Sequence, residues 1–251
     1  MPARAGTRPL KAWRYVGVYG RELMVCIAAV RIGPVRQRFW AVWDRRDHRL
    51  HERTTLGSDG GVRLGYGRAS VRTRVLQIDL ALAETAGIET ICPSGAAYGW
   101  TRKQGGIAAS GHVTIDGERR AIVARAVIDD TAAYYDRHTR WRWSAGVGTT
   151  DDGRAAAWNL VAGVNDPPQH SERTVWLDGE PSEAPASRFA ADLSAVDGLR
   201  FHTEAVRERT ENRVLLRSRY RQPFGTFTGE LPGGVLLAEG FGVMEEHDVY
   251  W

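Results

Sequence analysis

Two cysteines, Cys26 and Cys92, are all that 251 residues carry, too few for a disulfide framework and too far apart for a metal or redox pair. Both read as small core side chains. No stretch is long and apolar enough to cross a bilayer, since the most apolar one, Leu23 to Val30, stops at Arg31. With no leader-like segment, the expected location is the cytoplasm. Lysine is nearly absent: Lys11 and Lys103 are the only two among 34 basic residues. The arginines are scattered instead of clustered, and the formal charge is only +4, so no nucleic-acid partner is expected in spite of a pI near 9.3. Gly57 to Gly67 precedes no helix, which removes a phosphate loop, and no Gly-x-Ser-x-Gly elbow occurs. His112, His138 and His202 lack a second ligand at strand or helix spacing, so no metal and no cofactor is expected.

Helical periodicity is scarce as well. What fills the chain is short alternating segments bounded by Gly, Asp and Pro, in a composition of 43% hydrophobic and 25% charged residues that suits a folded globule. Trp13, Tyr15, Gly17 and Tyr19 share one face of a first strand. Leu76, Ile78, Leu80 and Leu82 share one face of a later strand, opposite Gln77 and Asp79. Asp-Gly pairs at Asp59, Asp116, Asp152, Asp178 and Asp197 supply the left-handed residues of tight hairpins. These features predict an all-β, mostly antiparallel fold. One short helix is expected, over Ala184 to Ala195, and Lys103 to Ser110, with Gly105 and Gly106, reads as a linker or exposed hairpin edge. The boundary between two β domains falls between Gly111 and Ala126, giving residues 1–120 and 121–251.

The densest passage runs from Ala124 to Glu180. Its Ile128-Asp129, Trp141-Arg142-Trp143 and Asp152-Gly153, in that order, resemble the opening of the second barrel in the two-barrel, lipocalin-like superfamily that contains the carotenoid hydratases. A bacterial branch of that superfamily is closer still. That likeness rests on Trp158-Asn159-Leu160, Gly163-Val164-Asn165, Trp176-Leu177-Asp178-Gly179, the run Gly242 to His247 leading to Trp251, and Lys11-Ala12-Trp13 near the amino end. The resemblance implies two consecutive lipocalin-like antiparallel barrels or half-barrels, with the chemistry in the second.

In a strand, Trp141 and Trp143 point the same way as Thr139, Ala145 and Val147. That face is either core or the wall of a ligand cavity. Asp129, Asp130, Asp136 and His138 lie close by in sequence, and a carboxyl group in an apolar pocket is held protonated by desolvation. Such a group protonates an alkene or epoxide without metal or cofactor, and an indole face stabilises the cation that results. The alternative for Asp129 and Asp130 is a strand end with a capping carboxylate. Tyr134 and Tyr135 either orient the acid or rim the barrel mouth. Asn159 and Asn165 share parity with Val161 and Gly163 and anchor a ligand or water, or form a turn before Asp166-Pro167-Pro168. Glu172 either pairs with an arginine or touches a ligand. Val235, Leu237, Glu239, Phe241, Val243, Glu245 and His247 share parity in the last strand, provided that no bulge intervenes at Gly240 or Gly242. Glu245 and His247 are there a second acid–base pair, or members of salt bridges.

Asp129, Asp130, His138 and Glu245 are thus the candidate catalytic groups, and Tyr134, Trp141, Trp143, Asn159, Asn165 and His247 the candidate substrate-binding ones. The expected activity is that of a cofactor-independent hydratase, cyclase or isomerase on an apolar, isoprenoid-like or polyketide-like molecule in a barrel cavity. The alternative is a non-catalytic protein that binds a lipid or hydrophobic metabolite in the same place.

Overall fold

The computed structural model describes residues 1–212 and 216–251, and every regular element in them is a strand. Two large antiparallel sheets follow one another along the chain. The first runs in space from Arg49–Leu56 through Val35–Asp44, Leu23–Ile32, Lys11–Tyr19, Glu118–Ala133, Ala97–Ile115, Leu76–Leu82 and Arg68–Arg72 to Val62–Gly65. Ile88–Ser94 pairs with the outer part of Ala97–Ile115. The second sheet runs from Glu180–Glu183 through Thr174–Leu177, Ala155–Ala162, His138–Thr150, Val235–Tyr250, Arg217–Leu231 and Leu199–Asn212 to Ala195–Val196. This is the lipocalin-like, all-β architecture expected from the alternating pattern.

Period-two geometry sends successive residues of each strand into different cores. In Lys11–Tyr19, Val16 and Val18 enter the core enclosed by the curl of the first sheet, while Tyr15 and Tyr19 enter a second core between the two sheets. Leu23, Val25 and Ile27 join the first core, and Met24, Cys26 and Ala28 join the second. That double burial explains why Leu23 to Val30 is the most apolar run in the chain: a strand with no wet face has no polar positions. A third core, with Trp158, Phe201, Phe227 and Met244, fills the curl of the second sheet. Cys26 and Cys92 are both buried and free, as their sequence context indicated. Four of the five Asp-Gly pairs behave as hairpin turns, whereas Asp59-Gly60 joins Arg49–Leu56 to Val62–Gly65, which do not pair with each other. Asp116-Gly117 and Asp178-Gly179 connect paired strands with both residues at positive φ, the geometry that matches strand twist.

Four expectations need correction. Ala184 to Ala195 is not helical: it forms an irregular segment in which Phe189 bridges Val196, because Pro185 and the short side chains offer the packed sheet only Ala184 and Leu193 as buried anchors. Lys103 to Ser110 is no linker but the middle of Ala97–Ile115. Its glycines mark a bulge, with Gly106 at φ +71°, which shifts the register between Gly105 and Ile107 and exchanges the strand's two faces. A division after residue 120 falls inside Glu118–Ala133, which pairs on both sides within the first sheet; the crossing to the second sheet lies at residues 134–137. In the last strand, an extra residue between Leu237 and Glu239 turns Leu237 into the third core, while Phe241 and Val243 face the core between the sheets.

Candidate functional site between the sheets

The core between the sheets is incomplete at one end, leaving a cavity of about 130 Å³. Both sheets contribute walls: Trp13, Tyr15, Phe39 and Asp129 from the first, Trp141, Trp143, Tyr220, Glu245 and His247 from the second, with Trp251 beside them. A void of this size holds a molecule about as large as benzene. Anything larger must leave part of itself in the mouth. The indoles of Trp13, Trp141 and Trp251 run nearly parallel, with neighbouring centroids 6.2 and 6.3 Å apart.

Glu245 stands opposite Trp143 across the ladder between Val235–Tyr250 and His138–Thr150. Its Oε1 accepts from Trp141 Nε1 at 2.9 Å, and its Oε2 accepts from Tyr220 Oη at 2.9 Å and Gln222 Nε2 at 3.0 Å. All three donors are uncharged. Among the described residues Glu245 has no ion-pair partner, and its burial outweighs these hydrogen bonds and pushes the carboxyl above the usual range. Next along the face, His247 meets Ser218 Oγ at 2.7 Å through its Nε2 and packs edge-on to Trp141. Burial pushes this imidazole down to about 3, so it is neutral in ordinary buffers.

A second polar group lies on the other wall. Asp129 and Lys103 are directly opposed in the first sheet, and Lys103 Nζ is 2.6 Å from Asp129 Oδ1 and 3.3 Å from Glu172 Oε1. Trp13 Nε1 and Thr131 Oγ1 also donate to Asp129, at 3.1 and 2.8 Å. Asn165, at φ +50° in the turn after Ala155–Ala162, donates through Nδ2 to Glu172 at 2.9 Å and to Tyr135 Oη at 2.6 Å. Burial pushes Glu172 up to about 7, with Lys103 pulling the other way and Asp129 reinforcing the rise.

The structure therefore brings together Asp129, Trp141, Trp143, Asn165, Glu245 and His247 on one cavity. Asp129 arrives there paired with Lys103, not as an isolated acid. The remaining candidates are elsewhere. Asp130 is one residue on from Asp129, so the pleat sends it to the opposite face, where Arg14 and Arg102 hold it at 2.8 and 2.7 Å. His138 is half exposed, pairs with Asp248 at 2.9 Å and stacks on Tyr250. Tyr134 donates to the carbonyl of Pro2. Asn159 is buried outside the cavity, where it accepts from Trp143 Nε1 at 2.8 Å and donates to the carbonyl of Glu172, which fixes both neighbours. Asp136, exposed, pairs with Arg8. Sequence reasoning did not single out Lys103, Tyr220, Gln222 or Arg207. For Lys103 a signal existed, since it is one of two lysines in an arginine-rich chain; for the others only the pairing of Leu199–Asn212, Arg217–Leu231 and Val235–Tyr250 reveals them.

Residues 58–251 match the sequence profile of a family described as a domain of unknown function, DUF2804. The chain belongs to this family. The matched span takes in Asp129, Glu172 and Glu245, whereas Trp13 and Tyr15 precede it. No curated protein matches this DUF2804 chain in sequence. Solved structures do match its fold. Kievitone hydratase from Nectria haematococca aligns with a TM-score of 0.56 at 13% identity, over 94% of this chain and 88% of the hydratase. A Nitrosomonas europaea protein provisionally named AttH gives 0.54 at 13%, over 97% and 94%. CghA gives 0.51 at 12%, over 100% and 94%. At such identities the likeness is one of fold.

Proposed function

We propose that this protein is a cofactor-independent hydratase, cyclase or isomerase that protonates an apolar, isoprenoid-like or polyketide-like substrate in the cavity between its sheets. One observation carries the reading: Glu245 is a buried carboxyl on the cavity wall, anchored by three neutral donors and facing no cation within ion-pair distance among the described residues. Desolvation strengthens the group's hold on its proton. The three donors stabilise the anion that remains when the proton leaves, so the group suits proton donation. Transfer to an alkene or enol carbon breaks the O–H bond of Glu245, forms a C–H bond and leaves a cation. Trp13, Trp141 and Trp143 line the same cavity and supply the π surface to stabilise it. The cation then loses a neighbouring proton or is captured by water or by an internal nucleophile. Asp129, paired with Lys103, is placed on the opposite wall to take the proton released in that step. A shared fold with kievitone hydratase supports the class of reaction as analogy only.

The test begins with a screen of apolar compounds, with binding followed by quenching of the cavity tryptophans and turnover by product analysis. Glu245→Gln preserves the shape and removes the transferable proton. Binding should persist while turnover falls by about a hundredfold to ten-thousandfold, the usual contribution of a general acid. Full turnover in Glu245→Gln overturns the assignment. The pairing of Asp129 with Lys103 favours a second reading, a binding protein whose carboxylates serve only to hold the wall together. Compounds that bind to the wild type without any being transformed would establish it.

A further inference from the structure

Arg207 is a cation on the cavity wall to which the proposed proton transfer gives no part. It lies in Leu199–Asn212, opposite Gln222, and its side chain is 3% exposed. The guanidinium is packed against two rings, with its central carbon 4.1 Å from the centroid of Phe39 and 4.9 Å from that of Tyr220. Both rings also line the cavity. A guanidinium has five N–H bonds, and when buried each needs an acceptor. Nη2 donates to Thr54 Oγ1 at 2.9 Å, and Nε stands 3.1 Å from Glu52 Oε2. Nη1, although buried, has no acceptor among the described residues. The charge is also incompletely answered, because Glu52 is 38% exposed and shares its carboxylate with solvent. The other cations on or behind the cavity are engaged: Lys103 by two carboxylates and Arg209 by Glu211 at 2.5 Å.

We propose that the unused N–H groups of Arg207 receive an acidic oxygen of the ligand, so that the substrate is an apolar molecule bearing a carboxylate or an ionised enol or phenol. This rests on the reading of the cavity as a ligand site and narrows it, because a plain isoprenoid hydrocarbon offers Arg207 nothing. The stacked rings hold the guanidinium plane in place before the ligand arrives, so little side-chain freedom is lost on binding. Arg207 stacks on Tyr220, which also donates to Glu245. The anchor and the acid thus share one neighbour.

Two matched pairs of probes test the proposal and separate the two sources of the oxygen. Phenylacetate is compared with phenylacetamide, which has the same ring and no charge, by quenching of tryptophan fluorescence. The carboxylate should bind about tenfold to a hundredfold tighter, the range of a hydrogen bond between charged groups. para-Nitrophenol is compared with nitrobenzene, and binding as the anion reads directly as a gain in the yellow phenolate absorbance at a pH below the probe's own midpoint. Preference in the first pair alone assigns a carboxylate, and in the second alone an enol or phenol; either supports the proposal. Arg207→Met should abolish both preferences. Arg207→Lys keeps the charge and should retain part of them, so the comparison survives if the methionine variant fails to fold. Equal affinity for the charged and neutral members in the wild type, or a preference that persists in Arg207→Met, overturns the assignment and leaves the cavity reading intact. Failure of all four probes to bind at saturating concentration overturns both.

Discussion

Glu172 offers a prediction whose size follows from its surroundings. It is buried, with Oε1 3.3 Å from Lys103 Nζ and Oε2 2.9 Å from Asn165 Nδ2, while Lys103 sits closer to Asp129, at 2.6 Å. One cation therefore serves two carboxylates. Burial raises Glu172 from 4.5 to about 7. The folded state then holds this proton more tightly than the unfolded chain does. The stability it contributes is fully present below pH 4.5 and is lost as pH rises through about 7. Each tenfold difference in proton affinity between the folded and unfolded chains is worth about 1.4 kcal/mol, so the complete loss is about 3 kcal/mol. Glu172→Gln removes the titration but keeps an oxygen that can accept from Asn165 or Lys103. Urea unfolding of both proteins across this range, with the variant's curve subtracted from the wild type's, cancels other titrating groups such as Glu245 and His247. The variant should lose about 3 kcal/mol less stability than the wild type as the pH is raised. Parallel curves would refute the account of Lys103 as a cation shared unequally between two buried acids.

Two more perturbations probe the frame of the site. At Gly105 an added Cβ would stand 2.3 Å from Cε3 of Trp176, so Gly105→Ala should cost about 1–3 kcal/mol by displacing that ring, seen as a lower denaturant midpoint with an unchanged slope. An unshifted midpoint would show that the ring yields freely. His247 is held down to about 3 from 6.5, so its contribution to stability is present above pH 6.5 and lost as pH falls toward 3. His247→Gln should flatten that acid limb in a thermal-unfolding series, and an equally steep limb would place the acid sensitivity in other groups.

The fold was largely legible because nearly all of it is strand, and strands write their burial into the sequence with period two. The alternation in Leu76–Leu82 is reproduced residue by residue. What alternation cannot announce is a change of face within one strand. Bulges at Gly105–Ile107 and near Glu239 exchange inside for outside, and this is why Lys103 read as part of a loop and Leu237 as a neighbour of Glu245. Within the site, Asp129, Trp141, Trp143 and Glu245 were visible as polar or aromatic residues on otherwise apolar faces. Asp130 and His138 seemed equivalent only because proximity in sequence was allowed to count as proximity in space. Arg207 and Gln222 carried no local signal: each is an ordinary member of a polar stretch until Leu199–Asn212 and Arg217–Leu231 pair and turn one side toward the cavity.

Because the cavity takes its walls from both sheets, a ligand in it works as a rivet. Losing either sheet destroys the site, so every increment of binding energy, RT ln(1 + [L]/Kd) for a single site, is shared by the whole chain and not by one half. Without ligand the halves are already joined by the buried core between the sheets, with Tyr15 against Trp143 at 5.3 Å, and by the short crossing at residues 134–137. Occupancy should therefore raise the unfolding transition of both sheets together.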